Sequence, residues 1–216
     1  MKKLKLVLIS FLFPAFIFAQ GGAELVPFAG YMFGGSVKYY EGKLNVQNGL
    51  NYGLSVLVPV QKMVDLELNY TRMDKVTASF EPYVGYPAYN PDEFDVVTNY
   101  FQIGGVSKFY TGSSVAQPFG SLSLGATWFA PTANENSIYS NYSDVWRFSV
   151  VLGLGVKLMF SERVGVMLRG RLMMPMTFSG VSFYAGTGGA GLGYSSWVAP
   201  LQGDFNGGLI IKIGGN

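Results

Sequence analysis

Two acidic side chains in this sequence have the types and the spacing for acid–base chemistry. Asp65 and Glu67 lie two residues apart, so in an extended chain both project from one face. Two carboxyl groups on either side of a glycosidic bond can hydrolyse it. Arg169 and Arg171 have the same spacing on another segment, and buried charges are normally paired. We expect the structural alternative, in which these arginines are counter-ions of the two acids.

A glycine-rich segment, Gly186-Thr-Gly-Gly-Ala-Gly191, matches the spacing of a dinucleotide-binding fingerprint. That fingerprint binds pyrophosphate only where it joins a strand to the first turn of a helix. No helical periodicity follows it here, so we interpret these glycines as part of a long loop.

Two residue types that carry much of enzyme and metal chemistry are missing, because the chain has no histidine and no cysteine. Histidine is the commonest general base and metal ligand at neutral pH. Without cysteine there is no lipoprotein anchor, disulfide or thiolate metal site. We therefore predict no catalytic, cofactor-binding or metal-binding residues.

The first 19 residues have the order of a secretory signal peptide. Three lysines within Met1–Lys5 precede an apolar run from Leu6 to Phe18, and Ala19 follows as a small residue. This run is shorter than the roughly 20 residues of a transmembrane helix. We predict cleavage near Ala19 and a mature domain over 20–216. Its 12 basic and 13 acidic residues give no net positive charge, so the composition does not indicate nucleic-acid binding.

The mature chain has the composition of a membrane protein without a membrane helix. Aromatic residues make up 16% of the sequence and charged residues only 13%, against roughly 25% charged in soluble domains. After residue 19 no apolar run of about 18 residues occurs, as a spanning helix would require. A closed β-barrel is the remaining way to satisfy every backbone group in lipid.

Strict alternation of apolar and polar residues supports the barrel. Residues 64–71 and 146–158 alternate with a period of two, which an amphipathic helix with its period of 3.6 cannot produce. Weaker forms of the pattern recur along the chain. We predict an all-β fold, an eight-stranded antiparallel up-and-down transmembrane β-barrel. Its predicted strands are 24–34, 48–58, 64–74, 97–109, 117–129, 145–159, 164–175 and 203–213.

The predicted connections alternate between short and long, as in outer-membrane barrels with short periplasmic turns and long extracellular loops. The short ones are 59–63, 110–116 and 160–163, and the long ones are 35–47, 75–96, 130–144 and 176–202. Aromatic residues near the predicted strand ends, such as Trp128, Trp146 and Phe160, are typical of interfacial girdles.

The alternation also assigns an inward face, where charged residues are expected to form a polar network. An eight-stranded barrel is just wide enough for side chains to fill it, so we expect a paired plug, with a narrow polar path as the alternative. The predicted network comprises Asp65, Glu67, Lys108, Arg147, Lys157, Arg169, Arg171 and Asp204, with Lys212 on the same face.

On these patterns the chain resembles the small bacterial outer-membrane β-barrel superfamily, which includes OmpA-like, OmpX-like and OmpW-like barrels. It looks most similar to the outer membrane protein beta-barrel domain proteins of Bacteroidetes-type bacteria. The resemblance implies an outer-membrane location, contact with lipid and lipopolysaccharide, and a last strand read by the barrel assembly machinery. The residues that match this assembly signal are Asn206, Gly208, Ile211 and Ile213.

The long loops are the remaining candidates for function, because tyrosine-rich surface loops are typical of binding surfaces. We expect a non-enzymatic envelope-structural or surface-interaction role, with an envelope protein as a candidate partner of the loops. The resemblance leaves two alternatives open, a narrow OmpW-like conduit for small solutes and an accessory part of a secretion or gliding machine. Known lipid-modifying barrel enzymes use a histidine, which this chain lacks. The candidate loop contacts are Tyr83, Tyr86, Tyr89, Phe94, Tyr139 and Tyr142.

Overall fold

The computed structural model describes residues 22–38, 42–85, 90–109, 115–140, 142–186, 189–198 and 201–214. The predicted signal peptide lies outside these residues. In the described part of the chain, no helix is long and apolar enough to cross a membrane. The strands found there are β1 (Ala23–Phe33), β2 (Gly35–Lys38), β3 (Gly42–Val46), β4 (Gly49–Gln61), β5 (Val64–Pro82), β6 (Asp92–Lys108), β7 (Ala116–Ala133), β8 (Val145–Met159), β9 (Val164–Gly186), β10 (Gly189–Val198) and β11 (Gln202–Ile213).

Eight of these strands close into a barrel. They pair antiparallel in the order β1, β4, β5, β6, β7, β8, β9, β11, and β11 pairs back with β1. The predicted eight-stranded up-and-down barrel is therefore confirmed. Ala23 pairs with Ile213, so both ends of the barrel chain lie beside the short turns. By the rule for outer-membrane barrels, we name this the periplasmic end and the opposite one the extracellular end.

The predicted long loops are wrong in one respect, because much of three of them, and the beginning of the fourth, is strand. The segment 35–47 contains β2 and β3, and 75–96 contains the continuations of β5 and β6. In the same way β7 extends to Ala133, and 176–202 contains the end of β9 and all of β10. Beyond the membrane both faces of a strand can meet water or another hairpin, so the alternation lapses while the backbone ladder continues. Strands predicted from the residue pattern alone therefore end too early.

The lipid-facing wall of the barrel is apolar, and its side chains are exposed. Leu68 is 47% exposed, Ile103 52% and Leu154 69%, whereas soluble monomers rarely expose apolar patches of such extent. The opposite faces of the same strands bury polar residues such as Asn69 and Gln102. This inverted arrangement, apolar outside and polar inside, is that of a barrel that spans a membrane.

Aromatic side chains form a belt on the lipid-facing wall near the extracellular end. Trp128 and Trp146 stack with ring centroids 5.6 Å apart, and Trp146 stacks on Phe101 at 6.1 Å. Phe101 in turn packs against Tyr70 at 5.1 Å. At the periplasmic end Phe160 is 71% exposed. Belts of this kind mark the two interfaces between hydrocarbon and headgroups.

Candidate functional site

The centre of the lumen holds two buried arginine–carboxylate pairs. Arg169 Nη1 donates to Glu67 Oε1 at 2.6 Å across the barrel. Arg171 binds Asp204 with both ends of its guanidinium, including a bond of 3.0 Å from Nε to Oδ1. Its Nη1 also donates to Asn69 Oδ1 at 3.0 Å. We call these four charged residues the central network; its bidentate, desolvated pair of Arg171 and Asp204 holds a fixed geometry.

Phe28 lies against this network, a contact that the sequence did not indicate. Its ring centroid is 5.4 Å from Arg169 Cζ and 5.0 Å from Arg171 Cζ, within the range of cation–π attraction. Gly53 on β4 leaves room for the ring, because a Cβ there would lie 2.6 Å from Phe28 Cζ. The network is therefore shaped by an aromatic ring as well as by charge.

A second charged cluster closes the periplasmic end of the lumen. Lys157 Nζ lies 2.6 Å from Glu24 Oε2 and 3.1 Å from Asp65 Oδ2. Lys108 Nζ adds a contact of 2.8 Å to Asp65 Oδ1, and Lys212 Nζ lies 3.8 Å from Glu24 Oε1. Asp65 and Glu67 thus belong to different clusters, and Asp65 is paired with lysines rather than with the arginines expected from sequence. Glu24 is the acid that sequence reasoning missed.

Two apolar layers lie on either side of the central network, and one of them separates it from the periplasmic charged cluster. The periplasmic apolar layer consists of Val26, Leu57, Val106, Phe119, Met167 and Ile210. The extracellular apolar layer consists of Met32, Met73, Tyr100, Val151 and Met173. Their members are at most 2% exposed, and they enclose the central network from both sides. The described lumen is thus filled by alternating charged and apolar layers, as expected for so narrow a barrel.

Arg147 does not join the predicted network. It lies nearer the extracellular end, is partly exposed, and donates from Nη1 to the carbonyl of its neighbour Trp146 at 3.0 Å. The other seven predicted network residues all take part in the ion pairs of the two clusters. Strand parity placed Arg147 on the correct face but could not tell how far from the membrane centre it lies.

Above the membrane, strands β2, β3, β5, β6 and β7 form a sheet that we call the extracellular platform. β3 pairs with residues 78–82 of β5, residues 76–80 of β5 pair with 92–96 of β6, and β6 pairs onward with β7 through Ala133. The segment after β7 folds onto β6, where Ile138 N donates to Asp92 Oδ1 at 3.0 Å. The platform is therefore an ordered, hydrogen-bonded sheet.

The predicted loop-contact residues divide into packed and exposed ones. Tyr142 packs against Phe94 with ring centroids 4.9 Å apart and donates its hydroxyl to Asp92 Oδ2 at 2.7 Å. These two aromatic side chains hold the platform together. Tyr83 and Tyr139 are 41% and 60% exposed and are available for contact. Tyr86 and Tyr89 lie outside the described residues.

Electrostatics also orders the platform. The ammonium of Lys75, 2.7 Å from Asp95 Oδ2, holds the pKa of the Asp95 carboxyl below its usual value. The side chains of Asn134 and Thr77 donate to the same carboxylate at 3.2 and 3.3 Å. Desolvation, followed by the hydrogen bond to Asp92, raises the pKa of the Tyr142 hydroxyl. Both shifts follow from contacts that join β6 to its neighbours.

The Asp95 shift predicts that the platform loosens in acid. A lowered pKa in the folded state means that the contact stabilises fully above the unfolded pKa, about 3.9 for aspartate, and is lost as the pH falls through the lower folded value. In detergent-solubilised protein, amide NMR signals of residues 132–138 should report increased mobility near pH 3 relative to pH 7. Asp95→Asn, which cannot titrate, should show the smaller change; equal changes would contradict the assignment.

The remaining sequence signals fall in strands. Gly186 ends β9 and Gly189 begins β10, which pairs antiparallel with β9, so the described part of the glycine-rich segment is followed by a strand and not by the helix that a dinucleotide site requires. The four assembly-signal residues lie on β11, with Asn206 buried and Ile213 52% exposed. Within the described ranges no group of three or more acidic side chains could hold a metal ion.

Comparisons with known proteins agree on the fold. No protein-family model matches the chain, and no curated protein matches it. The crystal structure of Neisserial surface protein A (NspA) superposes with a TM-score of 0.55 at 13% identity, covering 89% of this chain and 97% of that one. The outer membrane protein OprG from Pseudomonas aeruginosa gives 0.54 at 14%, covering 90% and 97%. The chain thus has the fold of the small bacterial outer-membrane proteins, a closed eight-stranded β-barrel.

Proposed function

We propose that this protein is a non-enzymatic outer-membrane barrel whose extracellular platform binds another component of the cell surface or envelope. The observation that carries the proposal is the contrast between a filled lumen and an ordered platform with exposed apolar side chains. In this proposal a cleaved signal peptide exports the chain, the barrel assembly machinery reads β11, and the lipid-facing wall contacts outer-membrane lipid, including lipopolysaccharide.

The lumen argues for a structural barrel and against a conduit. Water or a small solute would have to cross both apolar layers, each built of side chains with at most 2% exposure. It would also have to part the bidentate pair of Arg171 and Asp204, whose separation leaves buried charges uncompensated. The absence of histidine from the sequence supports the non-enzymatic assignment, since histidine is the commonest acid–base group.

The platform offers a defined contact surface. Tyr83 and Val84 follow the end of β5, and Ile138 and Tyr139 lie beside the start of β6, anchored by the bond to Asp92. We call these four residues the tip. All four are at least 41% exposed, and Val84 is fully exposed. Exposed aromatic and aliphatic side chains on a rigid support lose little entropy on binding. A partner in an envelope secretion or gliding machine would fit the same surface.

The tip proposal predicts loss of a partner without loss of the barrel. A variant with Tyr83, Val84, Ile138 and Tyr139 replaced by serine should fold, because all four residues lie outside the strands of the barrel. Intact cells carrying the wild type or this variant would be crosslinked, and the complexes purified and compared. We expect a crosslinked species that the wild type forms and the tip variant loses.

A matched control separates the tip from general loss of apolar surface. Val60→Ser removes an apolar side chain that is 63% exposed at the periplasmic end, so it should leave the crosslinked species unchanged. The proposal fails if the tip variant keeps the same crosslinks as the wild type, or if the control loses them equally.

A further inference from the structure

A shallow groove crosses strands β4 to β7 on the lipid-facing wall. Its volume is about 500 Å³, and it opens toward the membrane. The apolar side chains that line it include Leu54, Val56, Leu68, Phe101, Ile103 and Leu124. Leu54, Leu68 and Ile103 are between 43% and 52% exposed. A groove of this composition at hydrocarbon depth fits an acyl chain.

A charged pair, Arg72 and Asp74, lies at the extracellular end of this groove. Tyr70 lines the groove, and Arg72 and Asp74 follow on the same face of β5, two and four residues further on. Arg72 Nε lies 3.2 Å from Asp74 Oδ1, and Tyr52 on β4 donates its hydroxyl to the same oxygen at 3.3 Å. The two charged side chains are 35% and 57% exposed. They thus meet the membrane where the aromatic belt marks the headgroup level.

We propose that the groove and the Arg72–Asp74 pair bind one zwitterionic phospholipid, with an acyl chain in the groove and the headgroup on the pair. The planar guanidinium of Arg72 suits the lipid phosphate. The carboxylate of Asp74 suits a headgroup ammonium. Two residues along a strand span about 7 Å, so one headgroup can meet both. A headgroup with phosphate but no amine would place a second negative charge beside Asp74.

A second groove on the same barrel serves as a comparison for the first. It lies on strands β7, β8, β9 and β11 and the end of β1, has a volume of about 670 Å³, and is bordered by Leu172, Phe205 and Phe33. Phe33 and Phe205 pack edge to face at 6.3 Å. The charged residues at its border, Arg171 and Asp204, bind each other in the central network. Among the described residues that line this larger groove, no charged pair faces the headgroups, so it serves as an internal control.

The proposal is tested by lipid retention in native mass spectrometry. Delipidated barrel would be titrated with phosphatidylethanolamine, phosphatidylglycerol or lipid A, and the lipid-bound fraction measured. We expect the wild type to retain one phosphatidylethanolamine in preference to the other two. Arg72→Gln should weaken that retention by about tenfold, the worth of one charge-assisted hydrogen bond. Asp74→Asn should abolish the preference for phosphatidylethanolamine over phosphatidylglycerol.

Groove-filling variants complete the test. Ile103→Trp should displace the lipid, whereas Leu172→Trp, the same change in the second groove, should not. Folding of each variant is checked by the gel mobility of unboiled protein, and Arg72→Lys keeps the charge should Arg72→Gln fail to fold. Equal retention of all three lipids by the wild type, preference for lipid A, or unchanged binding by the Arg72 and Asp74 variants would overturn the proposal. The site is distant from the tip, so these results leave the proposed surface contact untouched.

Discussion

Arg171→Ala should lower the free energy of unfolding of the barrel by about 3–5 kcal/mol, the usual cost of removing one partner of a buried ion pair. Asp204, which is 2% exposed, would lose its bidentate partner while remaining in the lumen. Asn69 would lose its guanidinium donor as well. The measurement is urea-induced unfolding in detergent micelles, followed by tryptophan fluorescence and by the gel mobility of unboiled protein.

Two further variants identify the cause of that loss. Replacing both partners, Arg171→Met together with Asp204→Leu, should recover part of the stability, because no desolvated charge is then left uncompensated. Asn51 and Asn69 would still lose their charged hydrogen-bond partners, which limits the recovery. Arg147→Ala should change stability by no more than about 0.5 kcal/mol, since its side chain is partly exposed and binds a backbone carbonyl. If Arg171→Ala lowered the free energy of unfolding no more than Arg147→Ala, the central network would not contribute to the stability of the barrel.

The membrane-spanning fold was predictable from sequence because one face of each strand had to be apolar. In residues 64–71 every outward side chain is apolar and every inward one is polar, so only one orientation of β5 puts its apolar face against lipid. In β1 the rule fails, because Val26, Phe28 and Met32 point inward although they are apolar. A lumen filled by side chains needs apolar layers as well as charged ones. Alternation therefore predicts which residues share a face, but polarity alone does not say which face is inside.

The candidate site was less predictable, because its contacts join residues far apart in the sequence. Glu24 meets Lys157 across the barrel, and only strand order with register brings them together. Glu24 does share the parity of the inward face of β1, a signal that could have identified it. The packing of Tyr142 on Phe94 had no such signal, since both lie where the period of two has lapsed. Exposed and packed tyrosines look alike in a sequence without periodicity.

Gly53→Ala should prevent efficient closure of the barrel, although it adds a single methyl group. A Cβ at this position would lie 1.9 Å from the carbonyl oxygen of Tyr70 on β5 and 2.6 Å from Phe28 Cζ. The first contact forces β4 away from β5, and the second pushes the ring off Arg169 and Arg171. Overpacking costs about 1–3 kcal/mol even when only side chains must move. We expect a marked loss of folded band when urea-denatured protein is diluted into detergent.

Gly105→Ala is the matched control for this prediction, because it makes the same chemical change in a neighbouring part of the same wall. A Cβ at Gly105 would meet no atom within 4 Å, so this variant should refold like the wild type. The two variants share the entropic effect of replacing glycine, which by itself favours the folded state slightly. Any difference between them therefore measures the close approach at Gly53. Equal refolding yields would mean that the lumen can accommodate a displaced Phe28, and that the ring does not fix the geometry of the central network.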